Sequence, residues 1–281
     1  MERRSLLFSA AGLLAPGEDR RTIIGGRARI LAVFPSQQIA EATPQVLERA
    51  AKIARGTVFF YDRTPVEVGL KDIDWTGPHI HHQEWPAQLN RFFHLGPLAS
   101  AYKVTRDELF AKAARSYIED WIRGDPYAHA TTLRAGDNTL NMSIRLGSSV
   151  HAGWAGVLPA FLGSPAFDDA FLDQVLASIA RQADSLSRHL TAAGNWRISQ
   201  LDALVFTALR FPFLANAERL RKEGIAGMCA GLATQFLPDG VHNERTPGYA
   251  GWMTRVAANY FLLPRLFPEA DARVDRARLL A

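Results

Sequence analysis

Two polar stretches interrupt the apolar helical pattern of this 281-residue chain and carry most of its candidate chemistry. The run Pro238-Asp239-Gly240-Val241-His242-Asn243-Glu244-Arg245-Thr246-Pro247-Gly248-Tyr249 is 12 residues long. A simple turn needs about four, so this one reads as a binding loop. Tyr249 then opens a helix with a phenol that can donate a hydrogen bond or a proton. Gly194-Asn195-Trp196 stands between two strong helical stripes. Taken alone, it is also the ordinary pattern of a glycine closing one helix and an asparagine capping the next. Elsewhere the chemistry is thinner. His79-Ile80-His81-His82 has the residue types of a metal site but no acidic partner at ligand spacing, and fits a solvated loop better. Ser148, Ser149 and His151 are neighbours in sequence, whereas a nucleophile and its base are defined by geometry in space. Glu244 with Asp202 or Asp239 would supply the two carboxyl groups of a glycoside hydrolase, although no spacing favours that pairing. No phosphate-cradling glycine loop, GxSxG elbow or HExxH motif occurs.

The elements that must position these residues are helices. Phe110, Ala113, Ala114, Tyr117, Ile118 and Trp121 form one stripe, preceded by a capping box at Thr105–Glu108 and stopped by Gly124-Asp125-Pro126. Asp168 or Asp169 opens the next stripe, Phe171 to Leu190, which Gly194 ends. Further helices are expected from Ile198 to Leu209, from Ala217 to Phe236 and from Tyr249 to Leu263, with earlier ones at Pro44–Arg55, Glu84–Tyr102 and Asn141–Leu162. Only Thr57–Tyr61 reads as a strand. Helix after helix joined by short breakers gives antiparallel hairpins, and without a repeat period these close into an α/α toroid rather than a solenoid. The fold class is therefore all-α, an incomplete toroid over residues 34–281 with 1–33 as an N-terminal helical or extended segment of the same domain.

Composition narrows the function classes. With 48% hydrophobic and 21% charged residues, the chain is neither disordered nor fibrous, and a chain of this size buries about three-quarters of its unfolded surface. The single Cys229 excludes an intramolecular disulfide and a CxxC metal knuckle. A net charge of +4 is a mild excess that favours an anionic ligand. No apolar run reaches the roughly 18–20 residues of a membrane helix, and neither a membrane nor a nucleic acid is an expected partner. The start, Met1-Glu2-Arg3-Arg4 followed by Ser5 to Ala15, resembles a secretory signal, while Leu6, Leu7, Ala10, Ala11 and Leu14 also fit a first helix. Cytoplasmic and periplasmic locations both stay open.

Taken in order, Gly194-Asn195-Trp196, Phe211-Pro212, Leu237-Pro238-Asp239-Gly240, Glu244, Pro247 and Tyr249 resemble the helical domain of bacterial heparinase II/III-type polysaccharide lyases, a group that includes heparin-sulfate and oligo-alginate lyases. Upstream, Trp75, Glu84-Trp85, Leu89-Asn90-Arg91, Leu98-Ala99, Ala101-Tyr102, Asp120-Trp121-Ile122 and Ser143-Ile144-Arg145 fit the same pattern. The resemblance implies an incomplete α/α toroid that the family follows with an antiparallel β-sandwich, a part without a counterpart in this sequence. It implies β-elimination next to a uronic acid, an acidic glycan as partner, and neither cofactor nor metal. It assigns Asn195 to the substrate carboxylate and Tyr249 to proton transfer. Asn90, Arg91, Arg145, Gln200, His242 and Glu244 become substrate-binding, with Trp196, Trp75 and Trp85 as faces for sugar rings.

The sequence departs from the family in three places. Trp196 stands where many members have a histidine, Gln200 replaces a frequent glutamate, and Ala250 follows Tyr249 in place of a histidine. The proton at C5 must then go to Tyr249 itself or to a histidine of a β-domain, and the chain alone is expected to fold while turning over little substrate. Two other outcomes are consistent with the residues, namely a degenerate carbohydrate-binding module and an α/α-toroid glycoside hydrolase.

Overall fold

The computed structural model describes residues 17–31, 39–124 and 138–266, without the side chains of 27–31 and 261–266. The signal-like start and the Asp125-Pro126 stop lie outside the described residues. Among those described, the helices are α1 (Arg20–Leu31), α2 (Pro44–Ile53), α3 (Trp85–Asn90), α4 (Leu95–Thr105), α5 (Glu108–Arg123), α6 (Thr139–Leu146), α7 (Gly153–Phe161), α8 (Asp169–Arg188), α9 (Gly194–Arg210), α10 (Ala217–Gln235) and α11 (Pro247–Leu266). The strands β1 (Thr57–Phe60) and β2 (Thr64–Glu67) form one antiparallel hairpin.

Helix α9 is the hub, packing against α6, α8, α10 and α11, while α4 packs against α2, α5 and α7. Residues 189–193 join α8 to α9 and residues 211–216 join α9 to α10, connections short enough to force antiparallel neighbours. The result is the incomplete α/α toroid. Helix α1 packs on α7 and α9 with Ile24 fully buried. The core is centred on Trp85, Trp121 and Trp154, which leave no surface to solvent. The Trp121 and Trp154 rings meet edge-on at 5.3 Å, the arrangement that aromatic quadrupoles favour.

Local chemistry explains where the elements begin and end. Asp168 caps α8 by accepting from the Phe171 amide at 2.8 Å. That helix closes at Arg188 rather than at Gly194, so Leu190 lies past its end. The expected capping box at Thr105 is displaced. Thr105 is the last residue of α4, Arg106 turns the chain at φ 58°, and Asp107 caps α5 by accepting from the Leu109 amide at 2.9 Å. The second strand went unpredicted because Arg63-Thr64-Pro65 is polar. It forms because Tyr61 and Asp62 both take positive φ, as a tight hairpin turn requires, and Arg49 grips the Asp62 side chain at 2.6 Å.

Two expected long helices are broken. The span 84–102 is interrupted at 91–94, where Phe92 turns at φ 60° and stacks on Trp75 at 5.0 Å. The span 141–162 is interrupted at 147–152. Gly147 sits at φ 103° and Gly153 at φ 50°. A Cβ on Gly147 would lie 2.4 Å from the Ala152 carbonyl oxygen, and one on Gly153 would lie 2.3 Å from the Gly147 nitrogen. Only glycine allows the two backbones to approach so closely.

Candidate active site

The starts of α9 and α11, both breaks and the β-hairpin turn enclose a cleft of about 860 Å³ whose wall includes Asn195, Trp196, Arg91, His151, Tyr249 and Trp252. Asn195 and Trp196 occupy the first turn of α9, where Ala193 offers no side-chain cap. The free N–H groups of that turn therefore give the cleft edge a positive partial charge. Trp196 is 40% exposed and Tyr249 44%, so an indole face and a phenol are open to a ligand. The Tyr249 and Trp252 rings lie 6.2 Å apart, centroid to centroid.

Asn195 is buried, with 8% of its surface exposed, and its Nδ2 donates a hydrogen bond to the Glu244 carboxylate. Its Oδ1 is buried without a hydrogen bond among the described residues. The opposite amide orientation would set oxygen against carboxylate, so the assignment follows from charge. Glu244 is held by a small lattice of backbone bonds. Leu237 N donates to Val241 O at 2.8 Å and Asn243 N to Gln235 O at 2.9 Å, and Phe236 bridges to His242. His242 is the buried pivot of this loop. Its Nδ1 accepts from the Glu244 amide at 3.4 Å, its ring meets Phe236 edge-on, and burial holds its pKa below the usual imidazole value against the pull of Glu244. It shapes the loop and does not line the cleft, contrary to the substrate-binding expectation.

Three more expected ligands are structural. Arg145 is fully buried; its Nε donates to Gln182 Oε1 and its Nη1 to the Asn90 carbonyl, both at 2.8 Å, and its guanidinium lies 4.3 Å from the Trp121 ring centre. Asn90 is equally buried. Its Nδ2 donates to the Trp75 and Pro86 carbonyls, and its Oδ1 accepts from Trp121 Nε1 at 3.2 Å. Gln200 ties the start of α6 to the α8–α9 connection by donating to Thr139 Oγ1 and accepting from the Thr191 amide. None has surface left for a sugar, and the Trp75 and Trp85 rings are likewise core. Arg91 does line the cleft, anchored through Nε to Asn141 Oδ1 at 2.9 Å.

The structure adds His151 and Trp252 to the cleft wall. Burial pushes the His151 pKa down to about 4, and the positive charges of Arg91 and Arg255 press in the same direction. Asp202 lies behind this wall, 1% exposed, and burial lifts its carboxyl to about 7 against hydrogen bonds from Ser149 and Ser148. A carboxyl so enclosed reaches no substrate, and Asp239 sits on an exposed turn accepting from the Val241 amide, outside the residues that line the cleft. Among the described residues no three metal-ligating side chains cluster. His79 accepts from Trp85 Nε1 and His82 from the Glu84 amide, both at the start of α3.

The heparinase II/III N-terminus family model matches residues 27–264. A heparin-sulfate lyase of Pedobacter heparinus is 29% identical over 179 residues, covering 64% of this chain and 27% of that protein. A heparin-sulfate lyase of Bacteroides thetaiotaomicron is 30% identical over 184 residues, covering 63% of this chain and 25% of the relative. The chain thus spans about a quarter of the length of these relatives. The crystal structure of heparan sulfate lyase HepC from Pedobacter heparinus superposes with a TM-score of 0.73 at 23% identity, over 93% of this chain and 42% of that one. With the family model matched over residues 27–264 and the toroid in agreement, the chain belongs to the heparinase II/III family.

Proposed function

We propose that the cleft binds an acidic, uronate-containing glycan and that this chain is the helical part of a lyase that cleaves it by β-elimination. The observation that carries the proposal is the meeting of Asn195 and Tyr249, from two helix starts, on one cleft wall with Trp196 and Arg91. Removing the C5 proton of a uronate puts further negative charge on a group that is already anionic. A neutral carboxamide and the uncapped amides of α9 are suited to stabilise that charge by donating hydrogen bonds, with no proton transferred. The Tyr249 phenol is suited to protonate O4 as the C4–O4 bond breaks. Arg91 supplies a cation for a carboxylate or sulfate, and Trp196 a face for a ring. The curated relatives are heparin-sulfate lyases, which makes heparan sulfate the first polymer to try.

Titration of the chain with heparan sulfate and with neutral dextran, at low and at high salt, tests the binding half. Heparan sulfate should bind and weaken with salt, dextran should not bind, and Asn195→Ala or Trp196→Ala should cost about tenfold in affinity, or about 1.4 kcal/mol. Equal, salt-indifferent binding of both polymers would contradict the proposal.

A further inference from the structure

The loop 147–152 is held by the same two helices that carry Asn195 and Tyr249. Ser149 donates through its amide and its hydroxyl to Asp202 Oδ2 of α9, at 3.1 and 2.9 Å. Asn259 of α11 donates to the Ser149 carbonyl at 3.1 Å, and the Tyr260 phenol of the same helix lies beside the Asp202 carboxyl. The glycines at either end fix the loop's backbone. At its tip, His151 Nδ1 stands 3.4 Å from Ser148 Oγ, whose hydroxyl also reaches Asp202. The His151 ring lies 6.0 Å from Trp252 and 6.2 Å from Phe93, both of the cleft wall. Its Nε2 makes no hydrogen bond among the described residues.

We infer that His151 is the catalytic base that takes the C5 proton, with Ser148 and Asp202 as the residues that position it. The inference rests on the lyase proposal above. In the step, the C5–H bond breaks and its proton goes to His151 Nε2. The electron pair is first held by the uronate carboxylate as an enolate, from which a solvent-exchanged hydrogen can return to C5; when that pair instead forms the C4–C5 double bond, the C4–O4 bond breaks and O4 receives the proton of the Tyr249 hydroxyl. Exchange with solvent restores both side chains, and no oxidant or reductant is needed. The surroundings keep the imidazole neutral at rest, which leaves it free to accept a proton but also weakens it as a base, so the imidazolium formed in the step must be stabilised by the negative charge of the uronate itself. Arg91 faces the imidazole from the break after α3, Arg255 from α11, and burial acts in the same sense. Asp202 decides which nitrogen is free. Ser148 Oγ accepts from the Val150 and His151 amides at 3.2 and 3.1 Å, and its one proton is within reach of both Asp202 and His151 Nδ1. When Asp202 is ionised, that proton turns to the carboxylate, Nδ1 keeps its own hydrogen, and Nε2 presents a lone pair to the cleft. When Asp202 is protonated, the hydroxyl serves Nδ1 and Nε2 carries the hydrogen instead. The other groups around Asp202 are Ser149, Tyr260 and, beyond the phenol, Cys229.

The experiment follows exchange of the C5 hydrogen of a heparan sulfate oligosaccharide into D2O by NMR, on the full chain, alongside binding of the same oligosaccharide. The expected result is exchange by the wild type, a loss of at least about 100-fold in His151→Gln with affinity within about twofold, and exchange by the wild type that rises through neutral pH. Asp202→Asn should flatten that pH profile, and imidazole ¹⁵N shifts should move its hydrogen from Nδ1 to Nε2, a change that a merely structural role would not produce. Exchange by His151→Gln at the wild-type rate overturns the inference and leaves the lyase proposal standing. Binding without exchange by the wild type overturns it as well. Absence of binding overturns the lyase proposal itself.

Discussion

At the residue scale, charge and burial decide which family-like positions face a ligand. Asn90 and Arg145, which fit the family-like pattern, and Gln200, which departs from it, all hold elements together, and the sequence alone does not separate a buried guanidinium from an exposed one. Arg145 spans α6, α8 and the end of α3, through Gln182, the Asn90 carbonyl and the Trp121 face. Its replacement by alanine should cost about 2–4 kcal/mol, since it leaves buried acceptors without donors and opens a cavity. Urea denaturation measures this, and a normally stable variant with weakened glycan binding would return Arg145 to the ligand set. Arg145→Lys should rescue little, because an ammonium cannot serve two acceptors while lying flat on an indole. Asn195, Trp196 and Tyr249 were legible for a different reason: each opens a helix after a polar breaker, and a helix start is the part of a helix that sequence marks most clearly.

At the element scale, the breaks matter more than the helices. Apolar periodicity continues through 91–94 and 147–152, so the sequence predicts two uninterrupted helices, and the turns at Phe92 and at the Gly147–Gly153 pair emerge only from packing. His151 stood inside an expected helix for that reason. Gly153→Ala should destabilise the fold by at least about 1–3 kcal/mol, the cost of a left-handed non-glycine residue, with the backbone collision added. A denaturation midpoint unchanged from wild type would contradict this. The pH dependence of stability follows from the groups behind the loop. Asp202 keeps its proton up to about pH 7, whereas an unfolded carboxyl loses it near pH 4. It therefore costs stability as pH rises through that window. His151 stays neutral down to about pH 4, whereas an unfolded imidazole binds a proton below about pH 6.5. It therefore costs stability as pH falls. The two oppose each other. Asp202→Asn removes the first, so between about pH 4 and 7 its stability should climb more steeply with pH than that of the wild type. Parallel melting curves across that range would contradict the assignment of a protonated Asp202.

At the scale of the whole molecule, short breakers and amphipathic stripes were enough to give an α/α toroid, because antiparallel neighbours and closure follow from connection length. What the pattern withheld was the rest of the cleft wall, since the breaks that bring Arg91 and His151 to it emerge only from packing. The cleft that results is electrostatically mixed. Arg49 is paired with Asp62 on its wall and Glu84 also lines it, while the uncapped first turn of α9 turns amide N–H groups toward an anion. The central claim, that this cleft eliminates rather than hydrolyses, is tested most directly by the mass of the products formed from heparan sulfate by the chain, alone and with a family β-sandwich domain supplied in trans. The account predicts oligosaccharides whose new non-reducing ends are lighter by one water and absorb in the ultraviolet, lost in Tyr249→Phe and in Asn195→Ala. Products of full mass, with saturated ends and formed equally by Tyr249→Phe, would contradict it.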